Sequence, residues 1–160
     1  MAFVSGKIQW IPFYLLLIFF IARKHGWKTL WWLLAITIVV VATDRISSGF
    51  FKHAFQRLRP CHNPDLQGIM HLVGKCGGQF GFISSHAANT FGVAVFLSFL
   101  FENRWATIGL LFWATFVSYS RIYLGVHYPG DVLCGAIVGA GIGISIWLPA
   151  NYFINRKDKT

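Results

Sequence analysis

Ser120-Arg121-Ile122-Tyr123-Leu124-Gly125-Val126-His127-Tyr128-Pro129-Gly130-Asp131 separates two apolar runs, Trp105 to Tyr119 and Val132 to Leu148. Apolar runs of this kind suit a bilayer, and ionisable groups at a membrane boundary are costly enough to mark function. Pro129 and Gly130 favour a turn entering a helix, with proline tolerated in the first turn because its missing N–H would be unpaired there anyway. His127 then stands near the positive end of that helix, and Asp131, four residues on, is expected on its face. A carboxylate so placed fixes the imidazole tautomer and leaves the other ring nitrogen free to attack or to take a proton. Arg121 adds a planar fork of donors suited to phosphate oxygens. The bland alternative is a surface histidine–aspartate hydrogen bond, and the rest of the chain decides between the two.

The 160 residues are 56% hydrophobic and 18% aromatic, and only 12% are charged. Mean hydropathy is +0.58. That is the composition of a small polytopic membrane protein rather than a soluble domain. The net charge of +9 points to anionic headgroups, because so apolar a chain has little water-facing surface on which to bind nucleic acid.

Five apolar runs alternate with polar connectors. Ile8 to Ala22 is short for a span, with Trp10, Pro12 and Tyr14 fitting an interfacial entry, and Met1 to Lys7 offers no cleavable signal peptide. The second run lies between Thr29 and Thr43, and Trp27, Trp31 and Trp32 read as an aromatic belt. From Asp44 a helix is expected to continue beyond the membrane face until Arg59-Pro60 halts it. Asn63-Pro64, Gly68, Gly74 and Gly77-Gly78 make the remainder, up to residue 86, a loop. The third run begins after Ser84-Ser85-His86, where a serine provides an N-cap, and ends at Phe101. Glu102-Asn103-Arg104 connects tightly to the fourth run, and the fifth, ending near Pro149, carries Gly135-x3-Gly139, a spacing that permits close helix approach. The expected architecture is therefore an all-α membrane bundle of about five transmembrane helices, forming one domain over residues 1–160 with an outward-facing polar loop.

Five spans put the 44–86 and 120–131 stretches on one side. Seven of the fourteen basic residues fall on the other: Arg23, Lys24, Lys28, Arg104, Arg156, Lys157 and Lys159. Setting aside Lys52, Arg59 and Arg121 as ligand-binding leaves seven against four, which favours the short connectors and the tail in the cytoplasm. The polar side then faces the periplasm or its equivalent. Cys61 and Cys76 would form a disulfide in such an oxidising compartment and remain free thiols otherwise. Neither their spacing nor their neighbours indicate zinc. Cys134, inside an apolar run, reads as a packing residue.

Lys52-x6-Arg59-Pro60 places two cations on one face if the segment is helical. Ser84-Ser85-His86 brings hydroxyls, backbone N–H groups and an imidazole to a helix start, which suits an anion. With Arg121, His127 and Asp131 these describe a phosphoryl-transfer site that needs no metal and no cofactor. Together the three clusters resemble the signature of the type 2 phosphatidic acid phosphatase superfamily, which is shared with vanadium haloperoxidases and acid phosphatases. Its pattern is K-x6-R-P, P-S-G-H and S-R-x5-H-x3-D. The first and third are complete here; the second reads Ile83-Ser84-Ser85-His86, with isoleucine for proline and serine for glycine. The resemblance covers about residues 44–135. Members often carry six spans, three before the first motif, whereas this chain shows two there, so an N-terminal segment is expected to be missing or interfacial.

The resemblance implies that His127 attacks phosphorus to form a phosphohistidine, with Asp131 orienting it and His86 protonating the leaving oxygen and then activating water. It implies that Lys52, Arg59, Ser84, Ser85 and Arg121 hold the phosphoryl oxygens. The expected activity is hydrolysis of a phosphomonoester or pyrophosphate on a membrane lipid at the outer face of a bacterial inner membrane. Undecaprenyl diphosphate is the first choice; lipid A phosphate, phosphatidylglycerophosphate and phosphatidate are alternatives. An anion transporter and an inactive lipid-binding relative are the non-enzymatic readings. His25, His53, His62 and His71 are read as non-catalytic, and Arg57 and Lys75 as cations near the substrate but outside the signature.

Overall fold

The computed structural model of the protein describes residues 8–66, 68–69 and 76–156, together with 1, 4 and 6. Lys7, His71, Lys75, Lys157 and Lys159 lie outside the described residues. Within them the chain is all-α, with α1 (Ile11–His25), α2 (Thr29–Asp44), α3 (Lys52–Phe55), α4 (Ser85–Phe101), α5 (Arg104–Tyr123) and α6 (Pro129–Arg156). Each apolar run coincides with a helix, and two helical stretches, Ile8–Phe55 and Pro129–Arg156, are long and apolar enough to cross a bilayer. Leu15, Phe19, Ile38, Phe112 and Ile137 all point outward. Helices apolar on every side, with large side chains exposed around the bundle, suit hydrocarbon rather than water.

Gly26, at φ 54°, turns the chain between α1 and α2. The start of α1 and the end of α2 then line one groove, so the two helices run antiparallel. Ile21, Trp32, Val39, Phe96, Leu97 and Leu110 form the buried core. Trp32 meets Phe96 edge-on at 6.2 Å. Trp32 is therefore a core residue, unlike Trp27 and Trp31, which remain exposed as a belt requires; its two-position offset from the exposed Leu30 and Leu34 explains the difference on a helical wheel.

The tightest contact joins α4 and α6. A β-carbon on Gly135 would stand 2.6 Å from the Ser84 carbonyl oxygen, one on Gly139 would overlap the Ala88 carbonyl, and one on Gly143 would meet the Gly92 carbonyl at 2.5 Å. The ascending order on both helices makes them parallel, with their N-termini together. Small residues are what allow two backbones to come this close. At the opposite end, Lys24 Nζ donates to the carbonyls of Leu100 and Phe101 at 2.9 and 2.8 Å, binding the end of α1 to the end of α4.

Three features differ from expectation. The helix that continues from α2 passes through a π-helical turn, Arg45–Phe51, and stops at Phe55 because Gln56 adopts a left-handed conformation at φ 45°. It thus ends before Arg59-Pro60 is reached. The loop beyond is not wholly irregular: Leu58 and Phe80 form an isolated antiparallel bridge, flanked by Arg59 N–H to Gln79 O at 3.1 Å and Gly81 N–H to Arg57 O at 2.9 Å. Cys61 and Cys76 close that loop as a disulfide. Finally, α6 continues through Pro149 to Arg156. In an apolar medium a chain leaving the helix at Pro149 would strand more backbone groups than the one bond proline forfeits.

Candidate active site

His127 ends a turn that Gly125 opens at φ 70°, and α6 begins two residues later at Pro129. The imidazole therefore precedes the helix, and the expected shared helical face with Asp131 does not exist. The turn achieves the same proximity by another route, since His127 Nδ1 lies 3.6 Å from Asp131 Oδ2. That is an ion-pair distance rather than a hydrogen bond, and Nδ1 is buried without a hydrogen-bond partner. The carboxylate is itself fully buried and firmly held. Oδ2 accepts the Tyr128 N–H at 2.9 Å, and Oδ1 accepts from Arg57 Nη1 at 3.1 Å.

On the other side of the ring, Arg59 Nη1 is 3.4 Å from His127 Nε2. A guanidinium only donates, so Nε2 must present its lone pair and Nδ1 must carry the proton, facing Asp131. This is the tautomer a nucleophilic Nε2 requires. Burial pushes the His127 pKa below the usual range; the Arg59 and Arg121 charges act in the same direction, and Asp131 opposes them. The imidazole is thereby kept neutral. Arg59 Nε is also buried with no protein partner, a donor placed for an anion's oxygen.

The start of α4 supplies the facing wall. Ser84 caps the helix, accepting from Ala87 N–H at 3.5 Å, while its own N–H donates to the Asp131 carbonyl at 2.9 Å and ties α4 to the first turn of α6. The Ser85 hydroxyl receives Lys52 Nζ and meets the Ser48 hydroxyl, each at 3.0 Å. Lys52 reaches it through the π-helical turn, because one residue inserted into an α-helical ladder rotates everything after it by about 100°. Lys52 and Arg59 thus share a site without sharing a helical face. Their charges, with that of Arg121 at the end of α5, are felt by one another. Three mutually repelling cations, one of them Arg59 against the His127 ring, make this end of the bundle strongly electropositive.

The residues of this geometry fall within the stretch over which the chain matches the PAP2 superfamily, residues 29–154. The chain belongs to that superfamily. It is 40% identical over 160 residues to the lipid A 4'-phosphatase of Bacteroides thetaiotaomicron, covering 98% of this chain and 69% of that protein. It is 36% identical over 142 residues to the lipid A 4'-phosphatase of Porphyromonas gingivalis, covering 88% and 60%. Its identity to the undecaprenyl-diphosphatase of Sulfolobus acidocaldarius is 35% over 137 residues, covering 83% and 59%. No solved structure matches significantly. Family and relatives alike mark the chain as a lipid phosphatase.

Among the described residues of this PAP2 chain, His25 lies at the opposite end against Trp32, and His53 and His62 are exposed. The ligand atoms of Cys61, His62 and Cys76 lie within 4.8 Å of one another, but the disulfide engages both sulfurs and leaves one donor for a metal. His86 sits in the first turn of α4, where Ser85 and His86 form the polar end of an apolar groove of about 460 Å³. Trp10, Tyr14, Leu17, Leu33 and Val93 are among its walls. Arg57, Ser48 and Tyr128 touch these residues without belonging to the signature. Arg57 had a signal in its Arg-x-Arg spacing to Arg59, which places both in the same short bridged segment; Ser48 had none, since its orientation depends on the π-helical turn.

Proposed function

We propose that the protein removes the 4'-phosphate of lipid A by attack of His127 Nε2 on phosphorus, giving a phosphohistidine that water then hydrolyses. The placing of the His127 ring, with Arg59 3.4 Å from Nε2 and Asp131 3.6 Å from Nδ1, is the observation that carries this reading. Lys52, Arg59 and Arg121 neutralise the dianion that would otherwise repel a nucleophile, and the N-terminal N–H groups of α4 with Ser84 and Ser85 receive the remaining oxygens. Asp131 stabilises the ring as it gains positive charge. His86 protonates the departing sugar oxygen and afterwards takes a proton from water. In this scheme the chain's own cations perform the charge neutralisation, so no metal enters the reaction. The groove leading from His86 between α1, α2, α4 and α5 suits a lipid chain. The helices span the inner membrane with the site on the periplasmic side, a placement supported by the basic residues at the Lys24 end of the bundle.

Undecaprenyl diphosphate, the substrate first expected from sequence, gives way to lipid A because the relatives of higher identity bear that name. It remains the second reading on the strength of the Sulfolobus acidocaldarius relative and a putative undecaprenyl-diphosphatase of Escherichia coli, 30% identical over 103 residues. Purified protein in detergent micelles, offered lipid A 4'-phosphate, undecaprenyl diphosphate, phosphatidylglycerophosphate and phosphatidate, is expected to release inorganic phosphate fastest from lipid A. The His127→Ala protein should release none. Faster release from another lipid overturns the substrate, and undiminished release by His127→Ala overturns the nucleophile.

A further inference from the structure

Arg57 lies outside the family signature, yet its guanidinium meets the groups behind His127. Its Nη1 binds Asp131 Oδ1 at 3.1 Å, and its guanidinium covers the Tyr128 ring at 4.3 Å from the centroid. Tyr128 in turn gives its N–H to Asp131 Oδ2 and receives the Asn63 side-chain amide on its hydroxyl at 3.2 Å. The Arg57 carbonyl is fixed by Gly81 N–H, so the arginine is anchored at both ends. Asp131 is completely buried, and a buried carboxylate requires a compensating cation. A neutral His127 provides none. Arg59 faces Nε2, where the phosphoryl group must enter, and Arg121 and Lys52 belong to the same anion cluster. A bound phosphate would engage all three, whereas Arg57 is the cation in direct contact with the Asp131 carboxylate.

We propose that Arg57 is a positioning residue for the reaction: by holding Oδ1 and covering Tyr128 it keeps Oδ2 aimed at His127 Nδ1 and keeps the buried pair charge-balanced when phosphate occupies the other cations. The inference rests on His127 being the nucleophile. The ionisable groups around the imidazole are Arg57 and Arg59 from the bridged loop, Arg121 from α5 and Asp131 from α6, with Lys52 of α3 and His86 of α4 in the neighbouring walls. Removing Arg57 takes a positive charge from behind the ring. His127 then binds its proton at higher pH under the undiluted pull of Asp131, which moves the acid limb of activity upward.

The test is the pH profile of kcat/KM for the full chain in micelles, comparing wild type with Arg57→Ala and Arg57→Lys. For Arg57→Ala the acid limb is expected to rise by about one pH unit, the size of effect a single nearby charge exerts, and kcat to fall about tenfold with KM little changed, as for a group acting through another rather than on the substrate. Arg57→Lys should restore the limb while losing the planar stacking on Tyr128. A rise in KM without movement of the limb would make Arg57 a phosphate ligand and overturn the proposal. A fall in thermal midpoint with an unmoved limb would make it structural, with the same result. Quenched wild-type enzyme is assayed in parallel for acid-labile phosphohistidine. Its absence refutes the nucleophile assignment, whereas its presence with an unmoved Arg57→Ala limb refutes the role of Arg57 alone.

Discussion

Replacing Gly135 by alanine would test whether the close approach of α4 and α6 holds the site together. The added β-carbon would lie 2.6 Å from the Ser84 carbonyl oxygen and 3.2 Å from the Ala87 β-carbon. The first contact is about 0.8 Å inside ordinary van der Waals separation, and it is made with backbone, which has no rotamer to yield. The helices must part by a comparable distance, at a cost of about 1–3 kcal/mol for overpacking. The same movement draws the Ser84 N–H away from the Asp131 carbonyl, a bond of 2.9 Å. It therefore separates the anion-binding start of α4 from the turn carrying His127. A misplacement near 1 Å lowers turnover by about 100-fold. Gly141, on the same helix, has nothing within 4 Å of its hypothetical β-carbon. Gly141→Ala should thus be neutral in activity and gain about 0.5–1 kcal/mol from helix propensity. Phosphate release per folded molecule and thermal unfolding in the same detergent measure both effects. If Gly135→Ala proves indistinguishable from Gly141→Ala, the helix contact does not position the site.

Two further outcomes follow from the same geometry. Because burial lowers the His127 pKa, the acid limb of kcat/KM in wild type should lie below 6.5; folding stability from this group is complete above 6.5 and is lost as pH falls towards the folded value, since the unfolded chain takes up the proton first. A limb above 6.5, or stability that rises on acidification through this window, contradicts the assignment. The Cys61–Cys76 bridge spans 15 residues, for which loop-closure entropy predicts about 3 kcal/mol. Reductant or Cys61→Ser should lower the thermal midpoint and the activity together, and alkylation before reduction should modify only Cys134; equal midpoints with and without reductant would exclude the contribution.

Which parts of this molecule were legible in its sequence depends on the range over which each feature is determined. The apolar runs, the Ser84 cap and the Pro129 helix start are set by side chains within a few residues, and each was readable. The meetings of Lys52 with Ser85, of Arg59 with His127 and of Ser84 with Asp131 join residues that the signature names together, because a signature records the types of residue that must meet even when the path between them is unknown. The paths themselves are not legible in this way. Periodicity treats residues 44–59 as a uniform helix, which would align Lys52 with Arg59, but the real chain uses a π-helical turn to aim Lys52 and a left-handed Gln56 to release Arg59. His127 and Asp131 likewise meet through a turn and not along a helix. What was fixed locally could be seen one residue at a time. The bond from Arg57 to Asp131, 74 positions apart, exists only because the bridged loop folds back over the start of α6, and no window along the chain contains both ends of it.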